Sequence, residues 1–88
     1  MHAPENISAY SRQILDQIEY HPTTHNISWS DLVDMLKEVA DVEVSHGGAK
    51  AVVRLGDLKE EFTETEGEPV NEKTVLALRR MFKEAGFM

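Results

Sequence analysis

Cysteine is absent from this 88-residue chain. Its absence removes disulfides, thiolate zinc sites and thiol catalysis together. No apolar run approaches the ~20 residues that span a bilayer. The opening residues 1–8 hold neither a basic start nor an apolar stretch, so no signal peptide is expected. No internal repeat or low-complexity tract is visible, and proline occurs only three times. Positive charge is scarce as well, with nine Lys and Arg against sixteen Asp and Glu, a formal charge of -7. That deficit argues against a general nucleic-acid binder, because phosphate binding rests on local positive charge. What remains is 41% hydrophobic and 28% charged residues, the composition of a soluble globular domain. At this length one core is expected, burying roughly 60–70% of the unfolded surface. The expectation is a cytoplasmic domain of bacterial type, away from membranes, monomeric or weakly dimeric.

The few bases are unevenly placed. Residues 1–46 carry eight acids and two bases, and residues 47–70 carry six and three. Residues 71–88 carry two acids and four bases, the only net-basic part of the chain.

Hydrophobic spacing predicts six elements. Ile7, Tyr10, Ile14 and Ile18, with Leu15 beside them, form a helical stripe that buries against something. Asn6 or Ser8 is a candidate cap, and Pro22 stops the helix. A second helix follows Ser28, with Asp31 placed for a capping box. Its apolar face holds Trp29, Leu32, Val33, Leu36, Val39 and Ala40. Trp29 on that stripe is expected in the core rather than as a stacking platform for a base. From Asp41 the period becomes two. Val42 and Val44 alternate with Glu43 and Ser45, and Gly47-Gly48 reads as a hairpin turn. Ala49, Ala51, Val53 and Leu55 face one way and Lys50, Val52 and Arg54 the other. Gly56-Asp57 turns into a third strand carrying Leu58, Glu60 and Phe62. An acidic loop, residues 63–70, leads to Asn71, a cap for a last helix with Glu72 in its first turn. Val75, Leu78, Phe82 and Ala85 form its buried stripe, and Gly86 ends it. The predicted architecture is α+β: a three-stranded antiparallel sheet packed by helices on one face, in the order α-α-β-β-β-α.

Few residues offer chemistry. His21 and His25 have the i, i+4 spacing of a helical zinc pair, but Pro22 breaks the helix and no acidic base lies between them. No metal and no cofactor is expected. His2 is near the chain start. His46, beside Gly47-Gly48, is a candidate general base or phosphate ligand, and otherwise a polar residue at a hairpin edge. Glu60, Glu61, Glu64, Glu66 and Glu68 lack the spacing of a calcium loop and read as a solvated acidic run. At about 100° per residue, Lys73, Leu76, Arg79, Arg80 and Lys83 share the side of the last helix away from its buried stripe. Leu76 among those bases is either a contact residue for an acidic protein or an RNA backbone, or packs at the sheet edge.

Several strings in order resemble the HicA family of small toxins, αβββα domains with a fold like that of double-stranded-RNA-binding domains. They are residues 27–33 (Ile-Ser-Trp-Ser-Asp-Leu-Val) with Leu36, then Gly48-Ala49-Lys50 followed by Val52 and Val53, then residues 78–87 (Leu-Arg-Arg-Met-Phe-Lys-Glu-Ala-Gly-Phe). The resemblance covers residues 27–88, with residues 1–26 an N-terminal helical extension and connector. It implies a toxin that binds and cleaves messenger RNA and is neutralised by an antitoxin. The family's histidine stands in a Gly-Ser-His string. Here that place holds Lys50, and His46 lies on the other side of the turn. A lysine retains charge for a phosphate but is a poor neutral base. The family's proline-histidine-proline region corresponds to residues 64–69, which are acidic here.

Three functions follow. One is an RNA-cleaving toxin using His46. A second is an RNA-binding domain using Lys50, Arg54 and the bases of the last helix. The third, favoured by the lost histidine, is a non-catalytic domain that binds an antitoxin-like protein partner. Its contact residues would come from Lys50, Arg54, Lys73, Leu76, Arg79, Arg80 and Lys83.

Overall fold

The structure, a computed structural model, describes residues 7–20, 27–65 and 67–87. Three helices, α1 (Ala9–Tyr20), α2 (Trp29–Val39) and α3 (Glu72–Glu84), and three strands, β1 (Asp41–Ser45), β2 (Lys50–Leu55) and β3 (Leu58–Thr63), follow in the order α-α-β-β-β-α. The strands make one antiparallel sheet in the order β1-β2-β3. This is the α+β arrangement that the change from helical to strand period predicts.

The pleat sorts the strand residues. Val44 and Phe62 both lie opposite Ala51, Val42 lies opposite Val53, and Leu58 lies opposite Leu55. Ala51, Val53, Leu55 and Phe62 are buried in the same cluster as Trp29, Leu32, Leu36, Val75, Leu78 and Phe82. Lys50, Val52 and Arg54 therefore point to the opposite face, which no helix covers among the described residues. Gly56 has a φ of 62° at the first of the two residues joining β2 to β3. A tight hairpin turn needs that left-handed geometry to match the strand twist.

Each helix start is finished by a side chain. Ser28 caps α2, its hydroxyl accepting from the Asp31 amide at 3.3 Å. Asn71 caps α3, its side-chain oxygen accepting from the Lys73 amide at 2.8 Å. Of the two candidates for α1, Ser8 takes the place: its hydroxyl accepts from the Ser11 amide at 3.1 Å. At its other end α3 stops as expected at Gly86, whose φ is 83°. The Phe87 amide reaches the Phe82 carbonyl at 2.8 Å and the Gly86 amide the Lys83 carbonyl at 3.1 Å. The Phe82 and Phe87 rings stack with centroids 5.5 Å apart, completing a Schellman ending with its apolar contact.

α1 joins the same core as the rest. Ile14, Leu15 and Ile18 are buried in the common cluster, worth about 5–8 kcal/mol of apolar burial before the entropy of ordering the helix. A helix of this length is marginal alone, so its packing on α2 and α3 is what keeps it helical. Glu38 of α2 adds polar contacts. Its Oε1 accepts from the Ser8 amide at 3.0 Å, and its Oε2 accepts from the hydroxyls of Ser8, at 3.0 Å, and Ser11. A carboxylate at a helix start meets unpaired amides and the positive end of the dipole.

The buried stripe of α1 differs from expectation at one residue. Tyr10 is 53% exposed, and Ser11 is buried in its stead. The Tyr10 hydroxyl there lies close enough to the Asp31 carboxylate of α2 to lower the Asp31 pKa. Asn6, Pro22, His2, His21, His25 and Glu66 lie outside the described residues.

Two outcomes are expected. Replacing Glu38 with Ala removes the partner of the buried Ser11 hydroxyl and should lower stability by about 1–2 kcal/mol. The check is urea unfolding with hydrogen exchange; unchanged protection of the α1 amides would refute the role. Secondly, the Tyr10 hydroxyl and then Ser28 hold the Asp31 carboxyl below its ordinary value of 3.8. Asp31 is then more acidic folded than unfolded, so its contribution to stability is complete above about pH 4 and fades as pH falls through the lowered pKa. Tyr10→Phe should move the Asp31 midpoint upward in a carboxyl-carbon NMR titration; an unmoved midpoint would mean the hydroxyl is not its partner.

Candidate binding surface

The period of α3 decides which of its residues meet water. Thr74, Val75, Leu78, Met81 and Phe82 are buried, so the opposite side faces out. Leu76 lies there and is 40% exposed. Lys73 and Arg80 are its neighbours three and four residues away, and Lys83 stands one turn further on; all three are exposed. An apolar side chain thus stands among three cations on one solvent-facing helix side. Leu76 is neither in the buried core cluster nor among the partly buried side chains packed against it.

Arg79 belongs to this surface only in part. Its Nε donates to the Glu19 carbonyl at 3.2 Å. Glu19 sits in the last turn of α1, which holds no base of its own. Arg79 from α3 supplies the donor and positive charge that such a carbonyl end favours. Arg80 also borders a small groove between α3 and β3, together with Leu58, Lys59, Glu60 and Glu84.

The remaining cations lie elsewhere. Lys50 and Arg54 are on the outer face of the sheet, whereas α3 packs on the inner face. Both have acidic partners: Lys50 Nζ is 3.0 Å from Glu61 Oε1, and Arg54 Nη1 is 3.8 Å from Glu43 Oε1. Exposed pairs of this kind contribute little stability, but each offsets a charge that a phosphate would need. The structure therefore separates the seven candidate contact residues into two surfaces.

His46 begins a three-residue turn, His46–Gly48, between β1 and β2. Its own φ is 55°, an uncommon left-handed geometry that histidine tolerates better than most residues. The side chain is exposed, and among the described residues nothing hydrogen-bonds to it or orients the ring. A general base needs such placement toward its proton. The turn itself is pinned from below, where the Trp29 indole N–H donates to the Gly48 carbonyl at 2.6 Å. Trp29 is buried, so it packs the core and offers no stacking platform.

One functional acid was missed from sequence. Glu64 was expected in a solvated run. Instead its Oε1 accepts from the Asn71 amide at 3.0 Å and its Oε2 from the Thr74 hydroxyl at 2.5 Å. The carboxylate completes the start of α3, where the helix dipole favours negative charge. Nothing local marks this residue, because it stands seven positions before the cap it completes.

Among the described residues no three His, Asp or Glu gather to hold a metal ion, and no helix is long and apolar enough to cross a membrane. No family model, curated protein or solved structure matches the chain.

Because Leu76 is exposed and Leu78 is not, their variants should separate cleanly. Leu76→Asp should change unfolding stability by under about 0.5 kcal/mol, whereas Leu78→Ala should cost about 2–5 kcal/mol. Thermal or urea unfolding decides it; a large loss for Leu76→Asp would place that side chain in the core.

Proposed function

We propose that the chain is a non-catalytic binding domain, related to the HicA-like toxins it resembles, that captures an acidic protein partner on α3. The observation that carries this reading is Leu76, exposed at the centre of Lys73, Arg80 and Lys83. An apolar anchor among three cations, with Glu72 the one acid a turn before it, suits a partner that offers an apolar pocket rimmed mainly by carboxylates. The cations would steer encounter, and burial of Leu76 would slow release. An antitoxin-like protein with an acidic face has this chemistry.

The RNA readings have weaker support. Lys50, which stands where the family places its histidine, is paired with Glu61, and Arg54 faces Glu43. His46 is exposed without an orienting group among the described residues. RNA cleavage would need His46 to find that orientation in the substrate complex.

The test uses a synthetic acidic amphipathic helix, leucine on one face and glutamate beside it, titrated into the labelled full chain. Amide shifts should centre on α3, and Leu76→Asp and Arg80→Glu should each weaken binding by roughly tenfold or more. Lys50→Ala and Arg54→Ala should leave it unchanged. A parallel titration with an RNA hairpin at about 50 and 200 mM salt reads the other possibility. Tight, steeply salt-dependent RNA binding that needs Lys50 and Arg54 would overturn the protein-partner reading.

A further inference from the structure

The two edges of the sheet are finished differently. β3 carries Lys59, Glu60 and Glu61 in its middle, and Glu60 lies opposite Val53 on the inner face. An inward-facing charge on an edge strand blocks the addition of another strand. β1 reads Asp41, Val42, Glu43, Val44, Ser45. Its two inward positions are both valine, so no charge guards that side. Among the described residues β1 pairs only with β2, which leaves one row of its backbone N–H and C=O groups without a strand partner.

A shallow groove runs beside this edge, between β1 and α2. Trp29, Val33, Val44 and Gly48 line it, and Asp34 and Lys37 border it. Val44 is 37% exposed and Val33 is nearly covered. The indole N–H of Trp29 is already given to Gly48 and the ring is buried, so Trp29 closes the floor of the groove and the accessible apolar surface is that of Val44.

The geometry points to β1 as a docking edge for an extended segment of another protein, added as a fourth strand that alternates apolar and basic residues. Backbone pairing along β1 supplies affinity, and the period of two selects the segment. Apolar residues at alternate positions turn inward and cover Val44 and the groove. The residues between them turn to the outer face, where β1 presents Asp41 and Glu43. The Glu43 side chain is 75% exposed and only loosely paired with Arg54, at 3.8 Å. With Asp41 beside it the acids outnumber that one cation, and opposite charges across neighbouring strands attract while like charges repel. Basic residues therefore fit the outward positions.

Charge opposes a second copy of this chain in the registers that use most of β1, and the one centred on Val44 avoids it only by leaving Asp41 and Val42 outside the pairing. A symmetric antiparallel pairing centred on β1 sets Glu43 against its own copy, and a slip of one residue toward the strand start sets Asp41 against Glu43. This edge lies on the far side of β2 from β3 and the α3–β3 groove, so the inference stands independently of the basic face of α3.

Three synthetic ten-residue peptides test it against the labelled full chain: alternating valine and lysine, alternating valine and glutamate, and the valine–lysine composition with its alternation scrambled. The alternating valine–lysine peptide should bind roughly tenfold or more tightly than the other two. Its amide shifts should centre on residues 41–45 and Val33, and the β1 amides should gain exchange protection. Val44→Lys, at an exposed site, should keep the amide spectrum of the folded chain and abolish binding. Asp41→Lys with Glu43→Lys should reverse the preference toward the glutamate peptide. Equal binding of the alternating and scrambled lysine peptides would mean plain charge attraction and overturn the proposal. So would shifts centred away from β1, no binding, or sedimentation showing a dimer of the free chain that Val44→Lys dissolves.

Discussion

The alternation of β2 constrains everything around it. Among the described residues it is the only strand with a neighbour on each side, and its inward residues Ala51, Val53 and Leu55 are all buried. A one-residue slip would turn Lys50, Val52 and Arg54 into the core, so the register is held by the cost of burying two cations. The same constraint places Lys50 and Arg54 on the outer face, beside Glu61 and Glu43. The helices then have one side of the sheet to cover, and α3 must turn Val75, Leu78 and Phe82 toward it. That rotation is what exposes Leu76 with Lys73, Arg80 and Lys83. Core burial thus determines where these cations stand.

Helix ends impose a second demand. The first amides of a helix have no partner within it and take one from a side chain or from water. Glu38 meets this demand for α1 and Glu64 for α3, each from an element distant in sequence. Arg79 does the converse at the carboxyl end of α1. Part of the formal charge is therefore internal structure. Glu38, Glu64 and Asp31 hold elements together, and Glu43 and Glu61 neutralise the outer-face cations. The net charge of -7 says little about what the surface attracts until these engaged acids are set aside.

Two unlike surfaces remain. One is the exposed side of α3, apolar at its centre and cationic around it. The other is the β1 edge, apolar on its inner side and acidic on its outer side. They lie toward opposite edges of the sheet, so one partner with an acidic surface and a basic extended segment, or two partners, would suit them. Neither surface depends on a catalytic group, which agrees with the exposed and unoriented His46. Docking by shape, charge and backbone pairing is the role proposed for both.

Local patterns were enough for the elements. The stripe from Trp29 to Val39, the alternation within each strand, and the caps Ser28, Asn71 and Gly86 are set by neighbours within one or two turns, and the structure keeps them; Ala40, already extended, and Ala49, in a helical turn before β2, fall outside the elements their spacing suggests. Contacts across the chain were not legible in this way. Tyr10 fits the helical stripe by spacing but is exposed, near Asp31, twenty-one positions away. Glu64 reads as one acid in a run until α3 folds back to it. The seven candidate contact residues share charge or spacing, yet only the folded chain divides them between two faces. The sequence by itself determined the α+β order and the buried face of each element, because periodicity and capping act through adjacent residues. Only the tertiary structure decided which charges are paired, which helix start each carboxylate serves and which edge of the sheet is open, because those depend on distances between elements that no local spacing encodes.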